Sequence, residues 1–469
     1  MNFKQSLFAA FISSIFFLQQ SFAQVPKLSA NEELARSIFK ELIETNTVHS
    51  TGNTTTAAVA MAKQLKDAGY ADKDIQVVGP QLRNRNLVAR LRGSGKHAPI
   101  LFLAHLDVVE ARREDWSMDP FKLTEKDGYF YGRGTLDIKD GAAILLADFI
   151  RLKKEDYVPD RDLILALTAG EESGAEYNGV EWLLKNQRLL INADFCINMD
   201  AGDPQLKNGK RISRTVQASE KGVLNFTLEA RGPGGHSSLP SKDNVIYRLA
   251  EGLTKMEAYD FPVQFNEVTK SYFAKMSSFE NGQLADDMKS VSQNAPGDEV
   301  IKRLAASAYY NAMMRTTCVA TMLDAGHAIN ALPQSAKAIV NCRVMPGSTE
   351  AEIKKQLADV LADSQIHVSV MNGLKTNPAS ALTPELMRTI EQVTQKLWPG
   401  IPVLPVMEVG ATDGIYLRGE GIPTYGVSGV FIDEDDNRAH GKDERIGVKE
   451  FYDGLEYEYE LIKAFAGGK

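Results

Sequence analysis

Seven residues of this 469-residue chain have types and settings that could do chemistry together: His105, Asp107, Asp137, Glu171, Glu172, Asp200 and His440. His105 and Asp107 flank Leu106 at the end of an apolar run, and Asp137 lies in Gly132-Arg133-Gly134-Thr135-Leu136-Asp137-Ile138-Lys139. Glu171-Glu172 and Asp200 each close a further apolar run, and His440 opens His440-Gly441-Lys442-Asp443-Glu444. Two imidazoles with Asp137, Glu172 and Asp200 form a nitrogen and oxygen donor set that suits Zn²⁺. Three carboxylates and a hydroxide carry four negative charges, which two Zn²⁺ ions balance; one ion would leave a buried negative surplus. Asp107 is placed to accept the other imidazole N–H of His105 and fix its tautomer. Glu171 then has no metal role, and can take a proton from an attacking water and pass it to a leaving amine. The chemistry implied is metal-assisted hydrolysis of an amide.

Taken singly, each residue has an ordinary explanation. A histidine after a strand is commonly hydrogen-bonded for structure, a Glu-Glu pair is commonly solvated surface, and an Asp after a strand often caps a helix. Their shared position after strands gives the set its weight.

The elements that must position them alternate. Leu34, Ile38 and Leu42 recur at helical spacing, and Thr54 to Ala68 is a second helical stretch. Residues 86–91, 99–103, 162–168 and 194–199 predict strands, and 141–154 and 180–189 predict helices. Strands alternating with helices predict an α/β domain whose mixed, largely parallel sheet is flanked by helices. Ligands of such sheets bind beyond the carboxyl ends of the strands, where His105, Glu171-Glu172 and Asp200 fall. From about Thr215 the pattern changes to strands at 223–230 and 336–343 with helices at 243–257 and 352–362, then a strand at 366–370. After Lys375 the first style returns, with a helix at 384–397 and strands near 403–406 and 423–427. The expected division is a catalytic domain over 24–214 and 373–469, interrupted by an α+β lid or dimerisation domain over 215–372.

Residues 1–23 predict a secretory signal peptide: Lys4 is their only charge, Leu7 to Leu18 is apolar, and Ser21-Phe22-Ala23 offers small residues before Gln24. The expectation is an exported protein, periplasmic in a Gram-negative source and otherwise secreted, with no membrane attachment after cleavage. With 53 Lys+Arg against 61 Asp+Glu the chain is acidic, which argues against nucleic acid as a partner. Of three cysteines, Cys196 sits in an apolar run and reads as a buried strand residue, so at most one disulfide forms. Gly93-Ser94-Gly95-Lys96 is followed by His97 and lacks the first glycine of a phosphate loop.

At these motifs the chain resembles the cocatalytic zinc peptidases that include glutamate carboxypeptidase, aminoacylase-1, acetylornithine deacetylase and succinyl-diaminopimelate desuccinylase. Trp116, Pro120-Phe121 and Tyr131-Gly132-Arg133-Gly134-Thr135 are most similar to the branch of yeast carboxypeptidase S and the N-acyl-amino-acid hydrolases. The resemblance runs from about Glu32 to the end. It implies that Asp137 bridges two Zn²⁺ ions, with Co²⁺ or Mn²⁺ as possible substitutes. His105 and Asp200 would complete one site, Glu172 and His440 the other, with Glu171 as base and a cis peptide at Asp137–Ile138. It implies further that His236, in Gly232-Pro233-Gly234-Gly235-His236-Ser237-Ser238, stabilises the oxyanion from the lid. Asn330, Arg343, and Gly410 and Thr412 in Gly410-Ala411-Thr412-Asp413-Gly414 would contact substrate. Arg343 could instead be a lid salt bridge. In dimeric relatives the lids pair and the matching histidine enters the partner's site, which implies a homodimer; a monomer whose own lid closes is the alternative. Glu110 and Asp140 depart from the family pattern and bear on loop shape.

Three functions follow for test. One is a carboxypeptidase or dipeptidase acting beside a free carboxylate, the second a deacylase of N-acyl amino acids. The third is a silent metal-binding or dimerisation module, which Glu171 beside a full ligand set argues against.

Overall fold

The computed structural model describes residues 27–468 apart from 174–176, 294–295 and 434, so the expected leader over 1–23 lies outside the described residues. Its first helix, Ala30–Glu44, starts at Ser29, whose hydroxyl accepts from the Glu32 N–H while the Glu32 carboxylate accepts from the Ser29 N–H. This reciprocal cap satisfies two otherwise unpaired donors. Ala35, Ile38, Phe39, Leu42 and Ile43 then face the core, as the helical spacing requires. Thr54–Asp67 follows from its Asn53 cap.

The central sheet runs Ile75–Gln81, Asn84–Leu91, Leu163–Thr168, Ile100–His105, Phe195–Asn198, Thr424–Gly426, Lys210–Glu220, Gln205–Lys207 and Ile432–Asp433, with Val403–Glu408 alongside Lys210–Glu220. The strands Leu163–Thr168, Ile100–His105, Phe195–Asn198 and Thr424–Gly426 are parallel neighbours, and the outer pairs are largely antiparallel. Every residue of Ile100–His105 and Leu163–Thr168 is buried. This explains why they read as unbroken apolar runs: a parallel strand is covered on both faces. Gly179–Asn186 covers one face, and Lys139–Lys154 with Val448–Ala466 the other, where Phe451 stacks on Phe39 at 4.7 Å and Tyr457 stacks on Trp398 at 4.8 Å. Parallel order sends the carboxyl ends of these strands to one rim.

The expected boundary at 215 falls within Lys210–Glu220, which belongs to the large sheet through its pairing with Val403–Glu408. The chain leaves for the lid at Lys221. There Thr317–Ala325, Ser335–Val344, Gly222–Arg231 and Ile366–Val370 form an antiparallel sheet in that order. Val245–Glu257 and Glu350–Leu361 cover one face, closing a core around Leu224, Phe226, Val340, Cys342 and Leu357. Cys318 and Cys342, partners in the ladder, are joined as a disulfide, and Cys196 is free and buried.

Four helices within the lid segment, Glu267–Met276, Gly282–Ser292, Asp298–Ala305 and Ala308–Met314, have no counterpart in the sequence reading. They gather around Phe273, Met288 and Met313 and pack on Val406 of the catalytic sheet. Asn266, which caps the first of them, also reaches Ser219 across the junction.

Candidate metal centre

Strand ends deliver the polar residues. His105 is the last residue of its strand and pairs with Thr168, so Gly170, Glu171 and Glu172 emerge beside it. Asp200 follows Phe195–Asn198, with its N–H on the Asn198 side chain at 3.2 Å. Asp137 precedes the helix Lys139–Lys154 and is joined to Ile138 by a cis peptide. His440 arrives from the far end of the chain with a left-handed φ of 62°, a conformation that a non-glycine residue keeps only where its surroundings hold it.

These groups converge. His105 Nε2 lies 3.3 Å from Asp137 Oδ1 and 3.7 Å from Asp200 Oδ1. His440 Nε2 lies 3.0 Å from Asp137 Oδ2 and 2.7 Å from Glu172 Oε1. Asp137 thus turns one oxygen to each imidazole. Donor atoms of His105, Glu171 and Asp200 lie within 4.8 Å of one another, as do those of His105, Asp137 and Glu172. Glu171 is therefore within metal reach as well as beside the ligands. The donor set fits a divalent cation: His105 Nε2 is buried, aimed at carboxylates, and has no hydrogen-bond partner.

Asp107 does something other than the sequence suggests. The Nδ1 of His105 meets the main-chain oxygen of Asp107 at 2.9 Å, while the Asp107 carboxylate is 3.9 Å away. That carboxylate instead accepts the N–H groups of Gly170 at 2.7 Å, Glu171 at 3.3 Å and Glu172 at 3.0 Å. Gly170 adopts a φ of 87° in this turn, and a Cβ there would collide with the Tyr177 carbonyl. Three main-chain donors bind the carboxylate better than one imidazole, so the tautomer falls to a carbonyl.

Glu444 repeats the device. Fully buried, it accepts the N–H groups of Leu136 at 2.7 Å, Asp137 at 3.1 Å and Gly134 at 3.1 Å, and pairs with Arg133 at 2.6 Å. Arg133 then donates to the carbonyls of Gly441 at 3.0 Å and His440 at 3.3 Å, and Trp116 stacks on its guanidinium at 5.0 Å. One ion pair ties the Asp137 turn to the His440 turn. Asp413, quoted in the Gly410–Gly414 motif but given no role of its own there, accepts from Asn178 at 2.5 Å and Thr168 at 3.0 Å.

Charge crowding moves protons. Burial opposes the imidazolium of His105, but Asp200, Asp137 and Glu171 drive its pKa well above the ordinary value. Burial pushes Asp200 up to about 7 against the pull of His105, and burial with the Asp200 charge pushes Glu171 well up. Hydrogen bonds to Asp137 and Glu172 raise His440 to about 10. Asp137 alone goes down: burial acts against its charge, but two imidazoles outweigh it.

The model of "Peptidase family M20/M25/M40" matches residues 101–464. The chain belongs to that family. The chain is 30% identical over 383 residues to human "N-fatty-acyl-amino acid synthase/hydrolase PM20D1", covering 78% of this chain and 74% of that one. The fold matches the M20 family metallo-carboxypeptidase Sso-CP2 from Sulfolobus solfataricus with a TM-score of 0.70 at 16% identity, over 92% and 99% of the two chains. It also matches the Bacillus subtilis YXEP protein, described as a dinuclear metal binding peptidase, at 0.60 and 13% identity over 94% and 99%. This M20 chain is a metal-dependent amidohydrolase, and its cluster is the candidate site for divalent metal.

The M20 lid residues are set apart from the cluster. His236 and Asn330 meet on a two-stranded ribbon, where Gly235–His236 pairs with Ala331–Leu332 and Ser237 donates to the Asn330 carbonyl at 3.1 Å. His236 is exposed, its Nδ1 is 2.7 Å from Ser238 Oγ, and no bond joins it to the metal cluster among the described residues. Arg343 stands on Ser335–Val344 with no ion pair among the described residues, so the alternative of a lid salt bridge has no acid to complete it. Thr412 sits deep, its N–H on Glu220 at 2.7 Å, whereas a Cβ at Gly410 would meet nothing. Of the two departures, Glu110 accepts the Ser50 N–H at 3.0 Å, and Asp140 is buried with one oxygen unpaired.

If Arg133 and Glu444 hold two ligand turns at once, Glu444→Gln should weaken metal binding by about 10- to 100-fold, the usual effect of removing groups that orient ligands. Competition with a chromogenic chelator measures this. Unchanged affinity would show that the turns hold themselves.

Proposed function

We propose that this protein hydrolyses an amide whose nitrogen belongs to an amino acid with a free carboxylate, using two Zn²⁺ ions held by His105, Asp137, Glu172, Asp200 and His440. The observation that carries the reading is the placement of Glu171. Its carboxyl group stands among the donor atoms of His105 and Asp200, on a turn fixed by Asp107. Metal in this cluster would lower the pKa of water to about 7 and polarise the scissile carbonyl. Glu171 takes a proton from the attacking water and delivers it to the amide nitrogen as the C–N bond breaks. Asp107 keeps the Glu171 turn in place. Arg343 meets the substrate carboxylate with its planar fork, and Asn330 and Thr412 are further substrate contacts in this reading. His236 completes the site by donating to the carbonyl oxygen as it becomes negative.

The leaving amino acid can carry a peptide or a fatty acyl group. Similarity to the metallo-carboxypeptidase Sso-CP2 favours the first, and similarity to the acyl-amino-acid synthase/hydrolase PM20D1 of human favours the second. Arg343 addresses the carboxylate that both substrate classes share, so it serves either reading, and we carry the peptidase as the main one. Export by the N-terminal leader, to the periplasm in a Gram-negative source, belongs to the same proposal. Glu171→Gln should bind metal normally and lose about 10²–10⁴-fold in kcat, as removal of a general base does. The assay is residue release from C-terminal dipeptides beside acyl release from N-acyl amino acids. Metal loss, or normal turnover, would refute the assignment, and the preferred column of that panel separates peptidase from deacylase.

A homodimer through the lid is also part of the reading. His236 projects on an exposed ribbon, and Ile329 beside it is fully exposed. The edge strand Thr317–Ala325 exposes Val319, Met322 and Leu323, and an unpaired apolar edge is a natural seat for a second copy. A two-fold pair would place each His236 in the other subunit's cleft. Mixing His236→Ala chains with Glu171→Gln chains after dissociation should then restore about one working site per hybrid. Inactive hybrids, or a monomer in sedimentation, would remove the shared site.

A further inference from the structure

We propose that Lys221 is a second cationic anchor, beside Arg343, for the free carboxylate of the substrate. This rests on the reading of the cleft as an amide hydrolase and adds a residue to its specificity.

Register puts the two cations on one face. Thr317, Arg343 and Val223 lie side by side across three lid strands, and facing residues of a ladder point the same way. Lys221 precedes Val223 by two, so the strand period returns it to that face. The opposite face holds Leu224, Cys342 and Val344 in the lid core. The geometry of the amine agrees: Lys221 Nζ donates to Thr317 Oγ1 at 3.3 Å.

The lysine is 0% exposed, yet no carboxylate pairs with it or with Arg343 among the described residues. Its sequence neighbour Glu220 is already committed. That carboxylate pairs with Arg418 and accepts the Thr412 N–H at 2.7 Å. Burial, then the charge of Arg343, lowers the Lys221 pKa to about 7, and burial lowers that of Arg343.

Lys139 shows how this chain satisfies a buried lysine that serves only structure. Its Nζ donates to the carbonyls of Leu42 at 2.8 Å and Thr45 at 2.9 Å. Lys221 has one long contact to a hydroxyl and a second cation as its charged neighbour. Two half-satisfied cations on one face call for an anion. A carboxylate fits both, taking the fork of Arg343 and the point charge of Lys221. The location suits the cleft, because the Lys221 N–H is bound to the Glu408 carbonyl at 3.0 Å, just ahead of the Gly410–Thr412 loop.

The test uses the full chain loaded with Zn²⁺, with N-acetyl-L-leucine and its carboxamide as substrates and L-leucine as a calorimetric ligand. Lys221→Met should raise KM for the acid by about 10- to 100-fold, as loss of a hydrogen bond to a charged group does, with kcat little changed. The carboxamide should be nearly indifferent, leucine should bind correspondingly more weakly, and Lys221→Arg should recover most of the loss. Lys221→Gln serves in place of the methionine variant should that unfold early. Equal effects on acid and carboxamide, or leucine binding unchanged from wild type, would overturn the anchor. A wild-type protein that binds leucine through Lys221 but cleaves neither these compounds nor dipeptides ending in leucine would sink the hydrolase reading and leave the anchor standing.

Discussion

Repulsion among carboxylates is the constraint around which this molecule is arranged. Asp137, Glu171, Glu172 and Asp200 meet in one small volume, with Asp107 and Asp413 just behind. Two like charges about 5 Å apart repel by roughly 3 kcal/mol at an effective dielectric constant near 20. Left to relax, such turns would spread. Main-chain N–H groups prevent it: Asp107 takes three from the Glu171-Glu172 turn, and Glu444 takes three from the Asp137 turn. Each clamp turns a carboxylate that would add to the repulsion into the fastener for its neighbours.

The same arrangement explains the division of labour between domains. The catalytic sheet sets His105, Glu171-Glu172 and Asp200 at the ends of buried strands, where placement is most precise. The lid carries His236 and Asn330 on a two-stranded ribbon and Arg343 on its four-stranded sheet, and the chain crosses into it at Lys221. Helices between 267 and 314 return to the catalytic sheet at Val406 and brace that crossing.

Much of this was legible in sequence, for a local reason. Buried parallel strands are apolar runs, so their ends are visible, and His105, Glu171 and Asp200 are conspicuous as the polar residues that follow. Helices at 30–44 and 384–397 announce themselves through spacing and caps. The clamps could not be read in the same way. Glu444 reaches Leu136 across 308 residues and binds main-chain atoms, which leave no mark in the side-chain text. Asp107 looked like a partner for His105 because it is two residues away, but the sequence does not say which of its oxygens faces the ring. Lys221 sits in an unremarkable Glu-Lys-Gly, and its isolation from acids exists only after the sheet forms. The helices at 267–314 were hidden by short length and mixed polarity.

The central claim is that Asp137 is shared between two metal positions, one completed by His105 and the other by His440. Metal counting by mass spectrometry on gel-filtered, Zn²⁺-saturated protein tests it directly. The account predicts two ions per chain in the wild type, one in His440→Ala and none held tightly in Asp137→Ala. A single ion in the wild type, or two retained in His440→Ala, would contradict it.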